Sequence, residues 1–201
     1  MTEFATYFEL GFRHIVGPDA LDHILFLVAL AALYRLSDVR AVFWVVTAFT
    51  IGHSVTLALA VTKLVTLPQS LIEFLIPATI VLAGLENIVA QVRGSGGHAL
   101  RYRPAVAAAF GLVHGAGFAN YLASMFVESI AVPLLGFNVG IEIGQLAVLA
   151  AIAIALTALD RALALARRPG SRWEVHPVRV ITVSLLVVAF GLHITMQRLP
   201  W

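Results

Sequence analysis

Residues 133–159 read PLLGFNVGIEIGQLAVLAAIAIALTAL, with Glu142 as the only ionisable residue. A helix of this length rises about 40 Å at ~1.5 Å per residue, which exceeds the roughly 30 Å hydrocarbon core of a bilayer. The run lacks the alternating polarity of a barrel strand. An isolated strand is excluded because lipid offers no partner for a sheet edge. The stretch therefore predicts a membrane-spanning helix, and it has five counterparts. The charged residues cut the rest of the chain into apolar runs at 18–36, 41–62, 69–92, 104–126 and 178–197. The expected fold is all-α: a polytopic membrane bundle of about six helices, with residues 1–201 forming one transmembrane domain. Short connections leave no room for a separate soluble domain.

Composition agrees. The 201 residues are 60% hydrophobic and 12% charged, against about 45–50% apolar and about 25% charged in soluble domains. The absence of cysteine excludes disulfides, thiolate metal sites, iron–sulfur clusters and cysteine nucleophiles. Glu3 and Glu9 stand where the positive region of a signal peptide would be. Phe4, Tyr7, Phe8 and Phe12 instead predict an N-terminal helix lying in the membrane interface, as an anchor or a lid.

A net charge of +2 gives no reason to expect a nucleic-acid partner, but the placement of the charges is informative. Arg35, Arg40, Arg93, Arg101, Arg103, Arg161, Arg167, Arg168, Arg172 and Arg179 fall on one face of the predicted topology, and only Arg13, Lys63 and Arg198 on the other. Basic residues accumulate on the cytoplasmic side, so both termini are expected on the non-cytoplasmic side. The basic 160–180 region reads as a solvated loop on anionic lipid, and Gly94-Ser95-Gly96-Gly97 as a flexible linker. No phosphate-binding loop is present.

Ionisable residues inside a bilayer cost a few kcal/mol each on insertion scales and usually face the bundle interior. This chain carries many. Asp19, Asp22 and His23 open the first run at i, i+3 and i+4, on one helix face, and His14 precedes them on a segment able to fold back. His53 and His114 lie near the middle of their runs. Asn138, Glu142 and Gln145 form a polar stripe, and His193 lies near the outer end of the last run. Counted from the outer ends, Asp22, His23 and His193 sit ~6–9 Å deep, and Glu142, His53 and His114 ~12–18 Å deep. Imidazoles and carboxylates at similar depth suit zinc, nickel, cobalt or iron(II). The candidate ligands are His23, His53, His114, Asp22, Glu142, His14, Asp19 and His193. Asp22, Asn120, Ser54 and Thr50 are candidate partners for the second ring nitrogens. Glu86 and Asn87, nearer the inner face, are candidates for an exit path or for a separate structural pair.

Plainer readings exist for each residue. A membrane histidine often bonds only a neighbouring helix, for about 0.6 kcal/mol. Asp19 suits a helix N-terminus, and His193 suits interfacial snorkelling. His98 and His176 fall in basic loops and are expected to be solvated. Gly136, Gly140 and Gly144, like Gly111 and Gly115, recur every fourth residue and predict close helix packing. Pro77 and Pro133 kink their helices or mark helix ends.

Five stretches carry a family resemblance: Gly11-Phe12-Arg13-His14-Ile15; Asp22-His23-Ile24-Leu25-Phe26; Thr47-Ala48-Phe49-Thr50-Ile51-Gly52-His53-Ser54; Gly111-Leu112-Val113-His114-Gly115; and Phe137-Asn138-Val139-Gly140-Ile141-Glu142-Ile143-Gly144-Gln145-Leu146. Together they resemble the HupE/UreJ family of bacterial membrane proteins. The resemblance implies a multi-pass protein of the bacterial inner membrane that carries nickel or cobalt for hydrogenase and urease maturation. It ties metal uptake to a His/Asp cluster in the first helix, which Asp22 and His23 match. Here Gly17-Pro18-Asp19-Ala20-Leu21 intervenes between His14 and the Asp-His pair, a wider interval than the family often has.

Two functions fit these residues. In the first, the protein is a divalent-metal permease, with ions passing from Asp22, His23 and His14 to His53, His114 and Glu142, and on to Glu86 and Asn87. In the second, it is an intramembrane zinc-dependent hydrolase with a metal-bound water and Glu142 or Asp22 as general base. A metal-storing subunit without flux is a third alternative. The expected partners are the ion and the bilayer, and a homo-oligomer is compatible with the sequence.

Overall fold

The computed structural model describes residues 2–65, 68–94, 96–123, 130–167 and 173–199. Within them the chain forms seven α-helices and no strand: α1 (Glu3–Val16), α2 (Leu21–Ala32), α3 (Val39–Val61), α4 (Gln69–Val92), α5 (Gly96–Ala123), α6 (Ala131–Ala166) and α7 (Val175–Gln197). A single 3-10 turn, Leu36–Asp38, leads into α3. The all-α membrane bundle expected from the sequence is what forms. Four spans are long and apolar enough to cross a bilayer by themselves, and α1 with α2, bent by 67° at their junction, makes a fifth as a broken pair.

Among the described residues, two of the six expected runs depart from a simple spanning helix. The run at 18–36 is not one helix. Only Leu21–Ala32 is α-helical, about 18 Å long, which is too short to cross the membrane. The run at 104–126 belongs to the longer α5, which starts at Gly96 and carries Pro104 inside it. Its arginines, His114 and Asn120 keep it less apolar than the other spans. Gly94 takes the left-handed conformation (φ 63°) just after α4, and Gly96 and Gly97 are already helical; Ser95 between them lies outside the described residues. Pro77 lies inside α4. Pro133 lies in the first turn of α6, where its missing N–H costs nothing.

The helices associate chiefly as three pairs, α3 with α5, α1 with α6 and α4 with α7, while the short α2 contacts α4, α6 and α7. Lipid tails are as apolar as leucine, so close backbone approach must hold such pairs. Each pair has glycine on both members. A Cβ on Gly52 would strike Ala108 O, and one on Gly111 would strike Phe49 O. In α1/α6, Gly11 faces Phe137 O and Gly140 faces Phe8 O, with Gly136 and Gly144 continuing the stripe against Phe4 and Phe12. In α4/α7, Gly84 abuts Val188 and Gly191 abuts Val81. The two predicted glycine stripes thus receive α1 and α3. The N-terminal helix runs backbone-to-backbone along α6, and its Phe4, Phe8 and Phe12 follow the glycines of that helix.

The C-terminal end of α2 is an unusual construction. Its last carbonyls have no intrahelical donors, and side chains from other helices supply them. Asn87 Nδ2 donates to Ala29 O (2.6 Å), Arg103 Nη1 to Leu30 O (3.3 Å), and Arg179 Nη2 to Ala32 O (3.3 Å) and Tyr34 O (2.7 Å). His176 Nε2 lies 3.2 Å from Leu33 O. Arg103 and Arg179 are therefore buried and not loop charges, and His176 is half-buried and not solvated. Arg179 is neutralised by Asp160 at 2.6 Å. Arg103 lies 3.9 Å from Glu86 and also donates to Asn87 Oδ1. The apolar sequence continues past Ala32, but the helix does not, because these donors hold its end.

Candidate metal centre

Two helix ends and two helix interiors bring their histidines together. His14 sits in the last turn of α1, and the turn at 17–20 folds the chain back so that His23, in the first turn of α2, faces it at 4.6 Å between ring centroids. His53 projects from the middle of α3, 6.2 Å from the His14 ring and 6.4 Å from the His23 ring. One ring nitrogen from each of the three lies within 4.8 Å of the others. An ion bound at about 2.1 Å holds adjacent donors about 3 Å apart and opposite donors about 4.2 Å apart, so small imidazole rotations complete the fit.

His114, on α5, stands 5.3 Å from the His23 ring and brings a fourth imidazole. The Thr79 hydroxyl donates to Ile76 O (2.7 Å) and lies 3.1 Å from His114 Nε2. With its proton committed to Ile76, the Thr79 oxygen receives the Nε2–H. That tautomer leaves the lone pair on Nδ1, which is buried without a protein partner. The same is true of His14 Nε2, His23 Nε2, both nitrogens of His53 and Asp22 Oδ1. Buried polar atoms are normally bonded, and leaving one unmet costs about 1–3 kcal/mol. Six such atoms on four imidazoles and one carboxylate make a donor set suited to a borderline divalent cation. Phe118 and Phe137 stack on each other at 5.1 Å and flank His14, while Phe26 and Phe49 flank His114, so apolar rings hold the imidazoles in place.

A cavity of about 430 Å³ reaches this cluster, lined by His14, His23 and His114 at its base and by Asp19, Asp22, Gln69 and Glu73 towards its mouth. Arg198 also lines it and pairs with Asp22 Oδ2 at 2.9 Å. Three carboxylates against one guanidinium favour entry of cations. Glu73 and Gln69, which bond each other at 3.0 Å, went unnoticed in the sequence because they open α4 at an ordinary helix-start position.

The remaining candidates lie elsewhere. Glu142 accepts the Thr47 hydroxyl at 2.8 Å, and Gln145 Oε1 lies 2.8 Å from Thr50 Oγ1, so these two residues of the α6 stripe join α6 to α3 and do not enter the histidine group. Asn138 Oδ1 is buried and unpartnered. Ser54 Oγ donates to Thr50 O at 2.6 Å within its own helix. His193 is exposed and bonds Gln197 one turn on, far from any ligand role. Glu86 and Asn87 belong to the clamp on α2. The side chains of Asn120 and His98 lie outside the described residues.

The sequence profile of the family described as "HupE / UreJ protein" matches residues 1–198. The chain belongs to the HupE/UreJ family. No curated protein matches it, and neither does any solved structure. As a HupE/UreJ protein it is a multi-pass membrane protein of a family associated with nickel and cobalt transport, and the buried histidine group is consistent with that chemistry. In this HupE/UreJ chain the wide interval between His14 and the Asp22-His23 pair does not separate His14 from His23 in space. The α1–α2 elbow absorbs the extra residues and returns His14 to the cluster.

Proposed function

We propose that this protein is a nickel or cobalt permease of the bacterial inner membrane that admits the ion through the acidic vestibule to His14, His23 and His53, with His114 as a further donor. The observation that carries this reading is the mutual approach of three imidazole nitrogens from three different helices. The vestibule end holds Arg198, Asp19 and the start of α4. These elements lie on the face with three of the thirteen basic residues, which supports a non-cytoplasmic mouth and non-cytoplasmic termini. The hydrolase reading is favoured by nothing comparable, since Glu142, one of its two candidate bases, is engaged by Thr47. Reconstitution into liposomes tests the proposal. Nickel or cobalt should accumulate inside, and tight zinc binding without passage of any ion would overturn it.

Metal binds the neutral imidazole, and each histidine must shed its proton first. Lowering the pH therefore weakens binding. With three histidines on one ion, affinity should fall with a slope steeper than one proton per ion as the solution is acidified. Titration of nickel binding by calorimetry in buffers of different ionisation enthalpy measures that slope; nickel affinity unchanged when His14, His23 and His53 are all replaced by glutamine would exclude imidazole ligation.

Thr79→Val keeps side-chain volume but removes the acceptor that sets the His114 tautomer. Outer partners of metal-bound histidines are typically worth about 10–100-fold in affinity. A loss at the low end of that range is expected, measured by competition with a chromogenic chelator. Thr79→Ser, which keeps the hydroxyl, should bind as the parent does.

A further inference from the structure

Away from the metal centre, a groove of about 280 Å³ runs between α3 and α6 near the end rich in arginine. Its floor and walls are apolar, with Val39, Val42, Leu149, Ala153 and Leu156 among them. At one end it shares Arg35, Leu36, Thr157 and Arg179 with a second, more polar cavity of about 450 Å³ that adds Asp160, Arg161 and His176. The two cavities therefore adjoin, a greasy slot beside a basic cup. Among the described residues the one acid lining the cup, Asp160, is already paired with Arg179. Arg35 and Arg161 are exposed, and neither has a carboxylate partner among the described residues. The cup thus carries two uncompensated guanidinium groups. An exposed guanidinium matches a phosphate oxygen pair in shape and charge, and the slot beside it matches an acyl chain.

We infer that this slot and cup form a binding site for one anionic phospholipid of the cytoplasmic leaflet, with the phosphate on Arg35 and Arg161 and an acyl chain between α3 and α6. Ordinary boundary lipid would explain the slot alone. It does not explain two unpaired arginines at its end, on the face where ten of the thirteen basic residues gather and where anionic lipid is enriched. The occupant is a bilayer lipid and not a soluble anion, because the apolar slot adjoins the cup and shares four lining residues with it.

Native mass spectrometry of the purified full chain, incubated with equal amounts of phosphatidylglycerol and phosphatidylcholine, tests this. Each basic residue near a membrane surface contributes modestly, so two of them predict retention of phosphatidylglycerol over phosphatidylcholine by about tenfold or more. The double variant Arg35→Gln, Arg161→Gln should bring the ratio to about one. Arg35→Lys with Arg161→Lys should keep most of the preference, because charge persists. Ala153→Phe fills the slot and should reduce retention of both lipids. Equal retention by the parent protein would overturn the inference, as would a preference that survives in the glutamine variant. So would phosphatidylglycerol retention undiminished by Ala153→Phe, or displacement of lipid by millimolar inorganic phosphate, which would mark the cup as a soluble-anion site.

Discussion

His53→Ala should reduce nickel affinity by about 100-fold or more, above the range seen when only an outer partner is lost. His53 is fully buried, comes from the middle of α3, and has both ring nitrogens without protein partners. Its removal breaks no hydrogen bond that the fold uses, so the loss of binding should not be a loss of folding. The cavity left by the ring costs stability, yet the α3/α5 interface is backbone packing around Gly52 and Gly111 and persists. His193→Ala is the matched control. Its ring is exposed and bonds only Gln197, and nickel binding should be unchanged. Equilibrium dialysis on the two purified variants, alongside helical circular dichroism, makes the comparison; equal affinity in both would remove His53 from the centre.

Gly115→Ala and Gly117→Ala add the same methyl group two residues apart on α5, and their consequences should diverge sharply. At Gly115 the new Cβ would fall on the backbone of His53. Backbone cannot step aside, so α5 must lift from α3 and carry His114 away from His23. Overpacking of this kind costs about 1–3 kcal/mol, and here it also displaces a donor, so thermal stability and nickel affinity should fall together. At Gly117 the new Cβ would meet Ile76 Cδ1 at 2.8 Å, the far end of a flexible side chain that can rotate. That variant should melt within a few tenths of a kcal/mol of the parent. Melting curves in detergent with and without nickel would show the contrast, and equal behaviour of the two variants would contradict the α3/α5 contact.

Much of this was legible in the residues. Continuous apolar runs fixed the helical class, the glycine stripes announced close packing, and His23, His53 and His114 were marked by the cost of placing imidazole in lipid. What escaped was pairing. Nothing local says that Gly140 receives Phe8 or that Gly115 receives His53, because a small residue specifies proximity but not identity. The N-terminal aromatic residues looked interfacial because an amphipathic helix docks equally well on lipid or on a grooved neighbour. Arg103 and Arg179 looked like loop charges because hydropathy counts them as polar wherever they point. In the structure they serve as external caps for α2, a role that requires three-dimensional information. The same caps explain why the first run ends early, at Ala32, amid residues that would otherwise continue a helix. The Thr47 bond of Glu142 was out of reach too, because depth along the membrane was known and direction around the helix was not.

The elbow between α1 and α2 carries one more consequence. His14 and His23 stand on opposite arms of the 67° bend, like the tips of a pair of tweezers whose pivot is the Val16–Ala20 turn. Spreading the arms widens the gap between the two nitrogens, so in the permease proposed above the grip on the ion would depend on an angle as well as on chemistry. In that permease a change of the angle would alter dwell time, without any proton moving and without any ligand being exchanged.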